Sequence, residues 1–410
     1  MKKLKLSDKQ KIICGSIAFL ILMAISITAF SHGFINMGMK DPGYYAIETE
    51  PLEDALDYAR GYSFVYYLDG NNDEIKLMGR TLKSAYSSAL SRLFKLTDPA
   101  QQYDGFVNLA ALNANLGQEM EISEELYGIL TDALAKTREQ KGYHLFAGAL
   151  NTLWEDILVL TEPEEFDPAL NEDMRLRLEG LGQKTKDLSN FNLELKAENG
   201  KYTCCLTVSA DYLSYLEEQE CAPVILDLGA LRESYVLSAV AKVMEEAGYT
   251  QGYLTAASGL ILNLSGHTGE AFYQLYDLTA DGAQKVASIP MDKGSAFCMA
   301  RTFPLTDPEL GYYTVKNQGQ TLYRHPLIPA DGVYRDLLNT ASGIAPQGDI
   351  VAAKYACITM FDCENWEQLR EFVSQQSLKI ACVLRQEPGI IYANTPVTVE
   401  GEQIIRSFES

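Results

Sequence analysis

The segment 222–248, APVILDLGALRESYVLSAVAKVMEEAG, constrains the fold more than any other part of the sequence. The apolar run Val224–Leu226 predicts a strand, Asp227–Gly229 predicts a turn, and the apolar residues that follow at helical spacing predict a helix ending at Gly248. The backbone N–H groups of such a turn can hold a phosphate, but Glu233 brings a negative charge close to it. The segment therefore predicts a domain in which helices pack on sheets, with a ligand site or the remnant of one.

Helix and strand patterns interleave along the rest of the chain without a regular repeat. Residues 62–78 predict two strands around an Asn/Asp/Gly turn, and Arg80–Lys95 predicts an amphipathic helix. Ser123 predicts the N-cap of another helix, with acidic residues in its first turn. Short strands dominate after residue 195, so the sequence predicts an α+β fold of mixed sheets flanked by helices.

The N-terminus predicts a membrane anchor. Residues 1–11 carry five lysines, and Ile12–Phe30 follows as 19 residues without a charge, which is long enough to cross a bilayer as a helix. The lysines predict a cytoplasmic tail at 1–11, so residues 31–50 form a stalk and 51–410 an extracytoplasmic body of a single-pass protein of the cell membrane. A cleaved signal peptide is the alternative, because Ala29–Ser31 resembles a cleavage site.

Charge and cysteine content exclude two classes of function. The formal net charge is −21, and such an acidic surface repels phosphate backbones, which argues against nucleic acid as a partner. The eight cysteines include no CxxC pair, so they do not predict a zinc site. Buried free thiols are the expected state of the seven that follow the predicted anchor.

Several segments, in this order, resemble motifs of the FAD:protein FMN transferases, the ApbE-type flavin transferases. The resemblance covers roughly residues 60–375. The matching segments are Leu112-Asn113, YHLFAGAL at 143–150 followed by Trp154, DLGALRESYVL at 227–237, AASG at 256–259, and HPLIPADG at 325–332. They resemble the LN dipeptide, FDPTVGPL, DLGAIAKGYAV, NxGG and HIIDPRTG segments of that family.

This resemblance implies an ApbE-like fold and an extracytoplasmic enzyme that takes FAD as substrate and uses Mg²⁺. The enzyme would transfer FMN to a Thr or Ser of an acceptor protein in an extracytoplasmic flavin-dependent redox system, and release AMP. The residues implied at the site are His325 as the catalytic residue, Asp349 as the metal ligand, and Asn113, Tyr143, Asp227, Gly229, Glu233, Tyr235, Ser258 and Gly259 around the cofactor.

The sequence departs from the family where charge matters most. Glu233 stands where the family has a lysine. In the family's A-D-x-x-x-T metal segment, a carboxylate and a hydroxyl share one helix face. If Asp349 is that carboxylate, Ala353 replaces the hydroxyl; in the other register, Val351 and Tyr355 occupy the pair.

Three further changes accompany these. Lys354 adds a positive charge to the metal segment, Ile328 replaces an aspartate in the HIIDPRTG segment, and His144 replaces one in the FDPTVGPL segment. Two hypotheses follow: a membrane-anchored flavin transferase, or a non-catalytic relative that binds a flavin or nucleotide or serves as an interaction subunit. An unrelated anchored sensor or solute-binding domain is a third.

Overall fold

The computed structural model describes residues 41–49, 61–267, 272–279, 282–306 and 309–409. The predicted tail, the predicted anchor Ile12–Phe30 and most of the predicted stalk lie outside these ranges. Within them, no helix combines the length and apolar character needed to cross a membrane.

The helices and strands interleave as the α+β prediction requires, which confirms the fold class. The helices are α1 (Asn72–Leu96), α2 (Leu109–Ala114), α3 (Glu124–Arg138), α4 (Gly148–Leu158), α5 (Glu172–Lys186), α6 (Ala210–Glu218), α7 (Arg232–Glu246), α8 (Ile350–Asp362) and α9 (Trp366–Ser374). The strands are β1 (Gly43–Ala46), β2 (Tyr62–Leu68), β3 (Glu119–Ile122), β4 (Phe191–Glu198), β5 (Lys201–Val208), β6 (Gly252–Ala256), β7 (Leu260–Asn263), β8 (Phe272–Thr279), β9 (Gly282–Pro290), β10 (Ala296–Arg301), β11 (Tyr313–Asn317), β12 (Gln320–Arg324), β13 (Leu338–Ala345), β14 (Lys379–Leu384), β15 (Ile390–Ala393), β16 (Thr398–Val399) and β17 (Ile404–Arg406).

The chain divides into a smaller unit, residues 1–45 and 67–82, and a larger unit, residues 46–66 and 83–410. In the smaller unit, the Asn71 carboxamide accepts hydrogen bonds from the backbone N–H groups of Asp73 and Glu74, each at 3.1 Å. The Glu74 carboxylate accepts one in return from the Asn71 N–H at 2.8 Å. This reciprocal capping box starts α1 at Asn72, so the second strand predicted in residues 62–78 is wrong.

A long antiparallel sheet organises the larger unit. Its strands follow the order β2-β6-β7-β10-β13-β14-β15-β17, and only the last pair is parallel. Helix α8 packs on β10 and β13, and α7 packs on α8. On strand β10, Phe297 and Met299 join a hydrophobic core with the β8–β9 hairpin, to which Tyr273, Leu275, Ala287 and Ile289 also belong. The middle of the sheet is therefore covered by the hairpin on one face and by helices on the other.

The predicted strand Val224–Leu226 is also wrong: Ile225 and Leu226 are buried, but the segment is not a strand and leads into a short 3₁₀ turn that precedes α7. Its backbone bonds to the start of α4 and the loop before it instead of a strand: the Gly148 N–H donates to the Ile225 carbonyl at 3.2 Å, and the Asp227 N–H donates to the Leu145 carbonyl at 3.0 Å. A buried apolar run in the sequence does not specify which groups form hydrogen bonds with its backbone N–H and C=O groups.

Helix α3 follows its prediction. The Ser123 hydroxyl accepts a hydrogen bond from the Leu126 N–H at 3.1 Å, and Glu124 and Glu125 occupy the first turn. Both features stabilise the helix N-terminus through interactions that the local sequence supplies alone.

Candidate functional site

Seven of the ten sequence-predicted site residues line three cavities of the larger unit, whereas Asn113, Asp227 and Gly259 line none of the three. We call the first the lysine cavity, and it has a volume of about 540 Å³. Glu233 lines it from the first turn of α7, Ser258 from the β6–β7 turn, Arg301 from the end of β10 and Lys354 from α8. Two predicted ligand-binding segments, far apart in sequence, thus meet at one cavity.

Lys354 is the cation of this cavity with the fewest partners. Its side chain is only 3% exposed, and its ammonium donates one long hydrogen bond, of 3.5 Å, to the Ser258 carbonyl. No carboxylate in the described ranges forms an ion pair with it. On the same cavity, the Glu233 Oε2 atom is buried and has no hydrogen-bond partner in the described part of the chain.

Arg301, by contrast, is fully engaged. Its guanidinium donates to the Phe303 carbonyl at 2.7 Å and to the Glu309 carboxylate at 2.6 Å, and it lies 4.8 Å from the centre of the Tyr312 ring. Arg301, Glu309 and Tyr312 are wall residues that sequence reasoning missed. A signal was present in the sequence, because the charged Arg301 directly follows the apolar run Ala296–Ala300.

Gly259 closes the turn that carries Ser258. Its N–H donates to the Ala256 carbonyl at 3.1 Å, and its φ is +84°. A Cβ atom here would lie 2.2 Å from the Met299 carbonyl oxygen of β10. The glycine allows β10 to approach the turn, and it is not among the residues that line the lysine cavity.

We call the second the histidine cavity. It is lined by Tyr143, His144, Trp154, Gly229 and His325, among others, and its volume is about 40 Å³. Pro326 and Leu327 line both this cavity and the lysine cavity. A space of this size holds a few water molecules and is far below the several hundred Å³ typical of ligand pockets.

His325, the predicted catalytic residue, is 2% exposed and held on two sides. Its carbonyl accepts from Trp154 Nε1 at 3.0 Å, and its Nδ1 accepts from the Leu327 N–H at 3.2 Å. Burial, helped by the Arg324 guanidinium, lowers the pKa of His325 to about 3. The neutral ring therefore carries its proton on Nε2, which has no partner among the described residues. In this arrangement the ring offers a hydrogen-bond donor to the cavity.

His144 repeats this arrangement in the same cavity wall. Its Nδ1 accepts from the Phe146 N–H at 3.3 Å, and its Nε2 has no partner in the described ranges. Burial, with a smaller effect of Lys186, lowers the pKa of His144 to about 4. The Tyr143 hydroxyl is likewise buried without a described partner, and burial raises its pKa well above the usual value. The groups of this cavity that lack a described hydrogen-bond partner are thus mainly hydrogen-bond donors.

Asp227 and Gly229 form a turn that is braced from α4. The Asp227 carboxylate accepts from Asn151 Nδ2 at 2.7 Å and from the Gly229 N–H at 2.9 Å. A Cβ atom on Gly229, whose φ is +49°, would lie 2.6 Å from Asn151 Nδ2. Both residues therefore have structural roles, and Gly229 also lines the histidine cavity.

Asn113 uses its whole side chain on backbone groups. Its Nδ2 donates to the Leu226 carbonyl at 3.0 Å and to the Pro99 carbonyl at 3.2 Å. Its Oδ1 accepts from the N–H groups of Leu226 at 2.7 Å and Ile225 at 3.3 Å. The side chain supports the segment before the turn, and no polar capacity is left for a ligand.

The third cavity, which we call the acidic cleft, contains the predicted metal ligand. It has a volume of about 940 Å³ and is lined by Asp132, Tyr235, Asp349 and Val351, among others. The Tyr235 hydroxyl donates to the Asp132 carboxylate at 2.7 Å, and burial raises its pKa. Asp349 and Tyr235 therefore lie on a different cavity from Glu233 and Ser258.

The residues of the metal segment do not fit Mg²⁺, an ion that takes oxygen ligands in octahedral geometry. The Asp349 carboxylate is the N-cap of α8 and accepts from the Ala352 N–H at 2.9 Å. Ala353 offers a buried methyl group, and in the other register Tyr355 donates its hydroxyl to Glu139 at 3.0 Å. In the part of the chain that the structure describes, no three His, Cys, Asp or Glu residues form a group that could hold a metal.

Comparisons with known proteins fall into two kinds. No protein-family model matches the sequence, and no curated protein matches it either. Solved structures do match. The ApbE protein of Thermotoga maritima has a TM-score of 0.56 at 16% identity, over 85% of this chain and 96% of that one.

Two further structures agree with it. The flavinyl transferase ApbE of Pseudomonas stutzeri, in its apo form, has a TM-score of 0.52 at 12% identity, over 89% and 96% of the two chains. The flavin transferase ApbE of Vibrio cholerae has a TM-score of 0.50 at 10% identity, over 88% and 98%. The chain therefore has an ApbE-like fold with a divergent sequence, as the motif resemblance predicts.

Proposed function

We propose that this chain is a flavin transferase-like protein that binds FAD at the lysine cavity. The observation that carries the proposal is the meeting of Glu233 and Ser258, from two segments that resemble flavin-binding motifs, at one cavity with the buried Lys354. A volume of about 540 Å³ lies within the usual range for small-molecule sites. Lys354 supplies a cation to this wall, where the resemblance would have placed one at residue 233.

The reaction implied by the motif resemblance is transfer of FMN from FAD to a Thr or Ser hydroxyl of an acceptor protein, with release of AMP. Such a transfer develops charge on the pyrophosphate, which a metal or fixed cations must neutralise. The poor fit of the Asp349 segment to Mg²⁺ and the small histidine cavity favour the second candidate, a relative that binds FAD without efficient transfer. An interaction subunit beside an active transferase is the other form of this candidate, and it would not need to bind FAD.

The experiment is to titrate the full-length chain, in mild detergent, with FAD, FMN and ADP in a calorimeter. Binding of FAD supports the proposal, whereas no heat with any of the three contradicts it. A parallel incubation with FAD, Mg²⁺ and acceptor protein, followed by a denaturing gel, tests transfer. A covalently fluorescent acceptor band identifies an active enzyme, and its absence together with FAD binding identifies the non-catalytic relative.

We also propose that the body works outside the cytoplasmic membrane, attached by Ile12–Phe30, on a protein of an extracytoplasmic flavin-dependent redox system. The lysines of residues 1–11 support this orientation. Protease added to intact cells without their wall should digest the body. Protection of the body, or release of the whole body into the medium, would contradict the anchored topology.

A further inference from the structure

The Lys354 ammonium has too few partners for its degree of burial. Lysines are almost never fully buried unless paired, because an unpaired charge loses its hydration. Lys354 is 3% exposed, yet it donates only to the Ser258 carbonyl, at 3.5 Å. An ammonium has three donors, so most of its capacity remains for a group in the cavity.

The other charges of the lysine cavity do not fill this capacity. Arg301 is paired with Glu309, and their hydrogen bond is 2.6 Å long. Glu233 lines the same cavity, but its buried Oε2 atom has no hydrogen-bond partner among the described residues, and it forms no ion pair with Lys354 there. The cavity therefore presents one cation that lacks an anion and one carboxylate oxygen that lacks a donor.

A flavin nucleotide carries both missing partners. Its phosphate oxygens are anionic acceptors for an ammonium, and charge-assisted bonds of this kind are about twice as strong as neutral ones. Its ribose and ribityl hydroxyls are donors for a carboxylate. FAD can therefore satisfy Lys354 and Glu233 together, whereas a neutral flavin lacks the anion that Lys354 needs.

The segment that should hold Mg²⁺ according to the resemblance supplies no second positive charge, because its residues do not fit the ion. Asp349 caps α8 and lines the acidic cleft. If Asp349 is the carboxylate of the metal motif, Ala353 stands in place of the hydroxyl residue, and its side chain has no ligand atom. Lys354 follows directly on the same helix. We infer that the Lys354 ammonium takes the place of a divalent cation in this chain, so that FAD binds at the lysine cavity without Mg²⁺. This inference rests on the proposed function.

The test measures FAD affinity by calorimetry on the full-length chain in detergent, once with Mg²⁺ and once with EDTA. The two dissociation constants should agree within about twofold. Lys354→Met keeps the length of the side chain and removes its charge, and should weaken FAD binding about tenfold to a hundredfold. Lys242→Met is the matched control, because Lys242 is 77% exposed on α7 and lies outside the lysine cavity.

The outcomes separate this inference from the function beneath it. FAD binding by the wild-type chain that requires Mg²⁺ overturns the inference alone. The same holds if Lys354→Met, with an unchanged near-UV circular dichroism spectrum, binds FAD as tightly as Lys242→Met. No FAD binding by the wild-type chain in either buffer overturns the proposed function and this inference with it.

Discussion

The side chain of Asn113 pairs with the backbone of Leu226 as a neighbouring strand would, donating to its carbonyl at 3.0 Å and accepting from its N–H at 2.7 Å. Asn113 lies on α2, whereas Leu226 lies in the irregular segment before α7, far away in sequence. These two hydrogen bonds satisfy backbone groups of an apolar segment that belongs to no sheet and lies directly before the turn that carries Asp227.

Replacing Asn113 should therefore destabilise the larger unit. Asn113→Ala leaves two N–H groups and two carbonyls without this partner, and we expect a loss of about 3 kcal/mol in the free energy of unfolding. Urea unfolding followed by fluorescence measures it. Asn192→Ala, at an exposed position of β4, is the control and should change stability by less than about 0.5 kcal/mol. Equal effects of the two variants would refute the structural role.

The close approach of Gly229 to Asn151 predicts opposite stability changes for a second pair of variants. Gly229→Ala combines a positive φ with a contact of 2.6 Å to Asn151 Nδ2, and should cost about 1–3 kcal/mol. Gly128→Ala, inside α3 with no atom within 4 Å of the new Cβ, should instead stabilise by about 0.5–1 kcal/mol. Thermal unfolding distinguishes the opposite signs, and a Gly229→Ala protein as stable as the wild type would show that the turn relaxes freely.

The two buried histidines predict loss of stability in acid. Their folded-state pKa values, about 4 for His144 and about 3 for His325, lie below the usual 6.5, so the unfolded chain binds more protons in between. The contribution of the two neutral histidines to stability is fully present above about pH 6.5 and decreases as the pH is lowered. By about pH 5, each histidine should have reduced the free energy of unfolding by about 2 kcal/mol.

Urea unfolding at about pH 7.5 and about pH 5 measures this loss. His144→Asn and His325→Asn keep an acceptor near the position of Nδ1 but do not titrate, so each should remove its share of about 2 kcal/mol from the difference. A variant with the same pH dependence as the wild type would mean that its histidine is protonated in the folded state.

Variants of Asp349 separate its role as the N-cap of α8 from its predicted role as a metal ligand. Asp349→Ala should destabilise α8 by about 1 kcal/mol, whereas Asp349→Asn, an equally good N-cap, should change stability by only a few tenths. Neither should change FAD affinity, with Mg²⁺ or with EDTA. Loss of a Mg²⁺-dependent activity in Asp349→Asn would restore this residue as a metal ligand.

Glu233→Gln tests the unpaired carboxylate. The amide keeps an acceptor for a ligand hydroxyl and removes the negative charge beside the phosphates, so FAD affinity should rise by about threefold to tenfold at low salt. Calorimetry measures it, with Glu246→Gln at the exposed end of α7 as the control. Unchanged affinity would mean that Glu233 does not face the nucleotide.

Local interactions made some elements predictable from sequence. Ser123 and the acids after it stabilise α3 wherever the helix packs, so its start was evident. The start of α1 was equally local, because Asn71 and Glu74 have capping-box spacing, but the Gly70–Asn71 turn favoured a hairpin interpretation. The order of the motifs indicated an ApbE-like fold because it spans most of the body.

Long-range packing decided the rest. Nothing near Val224–Leu226 in sequence indicates that the side chain of Asn113 replaces a neighbouring strand. The division of the predicted site residues into three cavities depends on where α7 and α8 meet the sheet. Periodicity places Glu233 and Lys354 on helices, but it does not show that both line one cavity while Asp349 lines another.

The pairing of β2 with β6 has a consequence for synthesis. Tyr62 lies opposite Ala256, about 190 residues later in the chain, and translation at about 5–20 residues per second delays that partner by about 10–40 s. Until then the strand that carries Phe64, which is fully buried in the folded protein, lacks its partner on the β6 side. Folding should therefore be slow, because the pairing of β2 with β6 closes so long a loop.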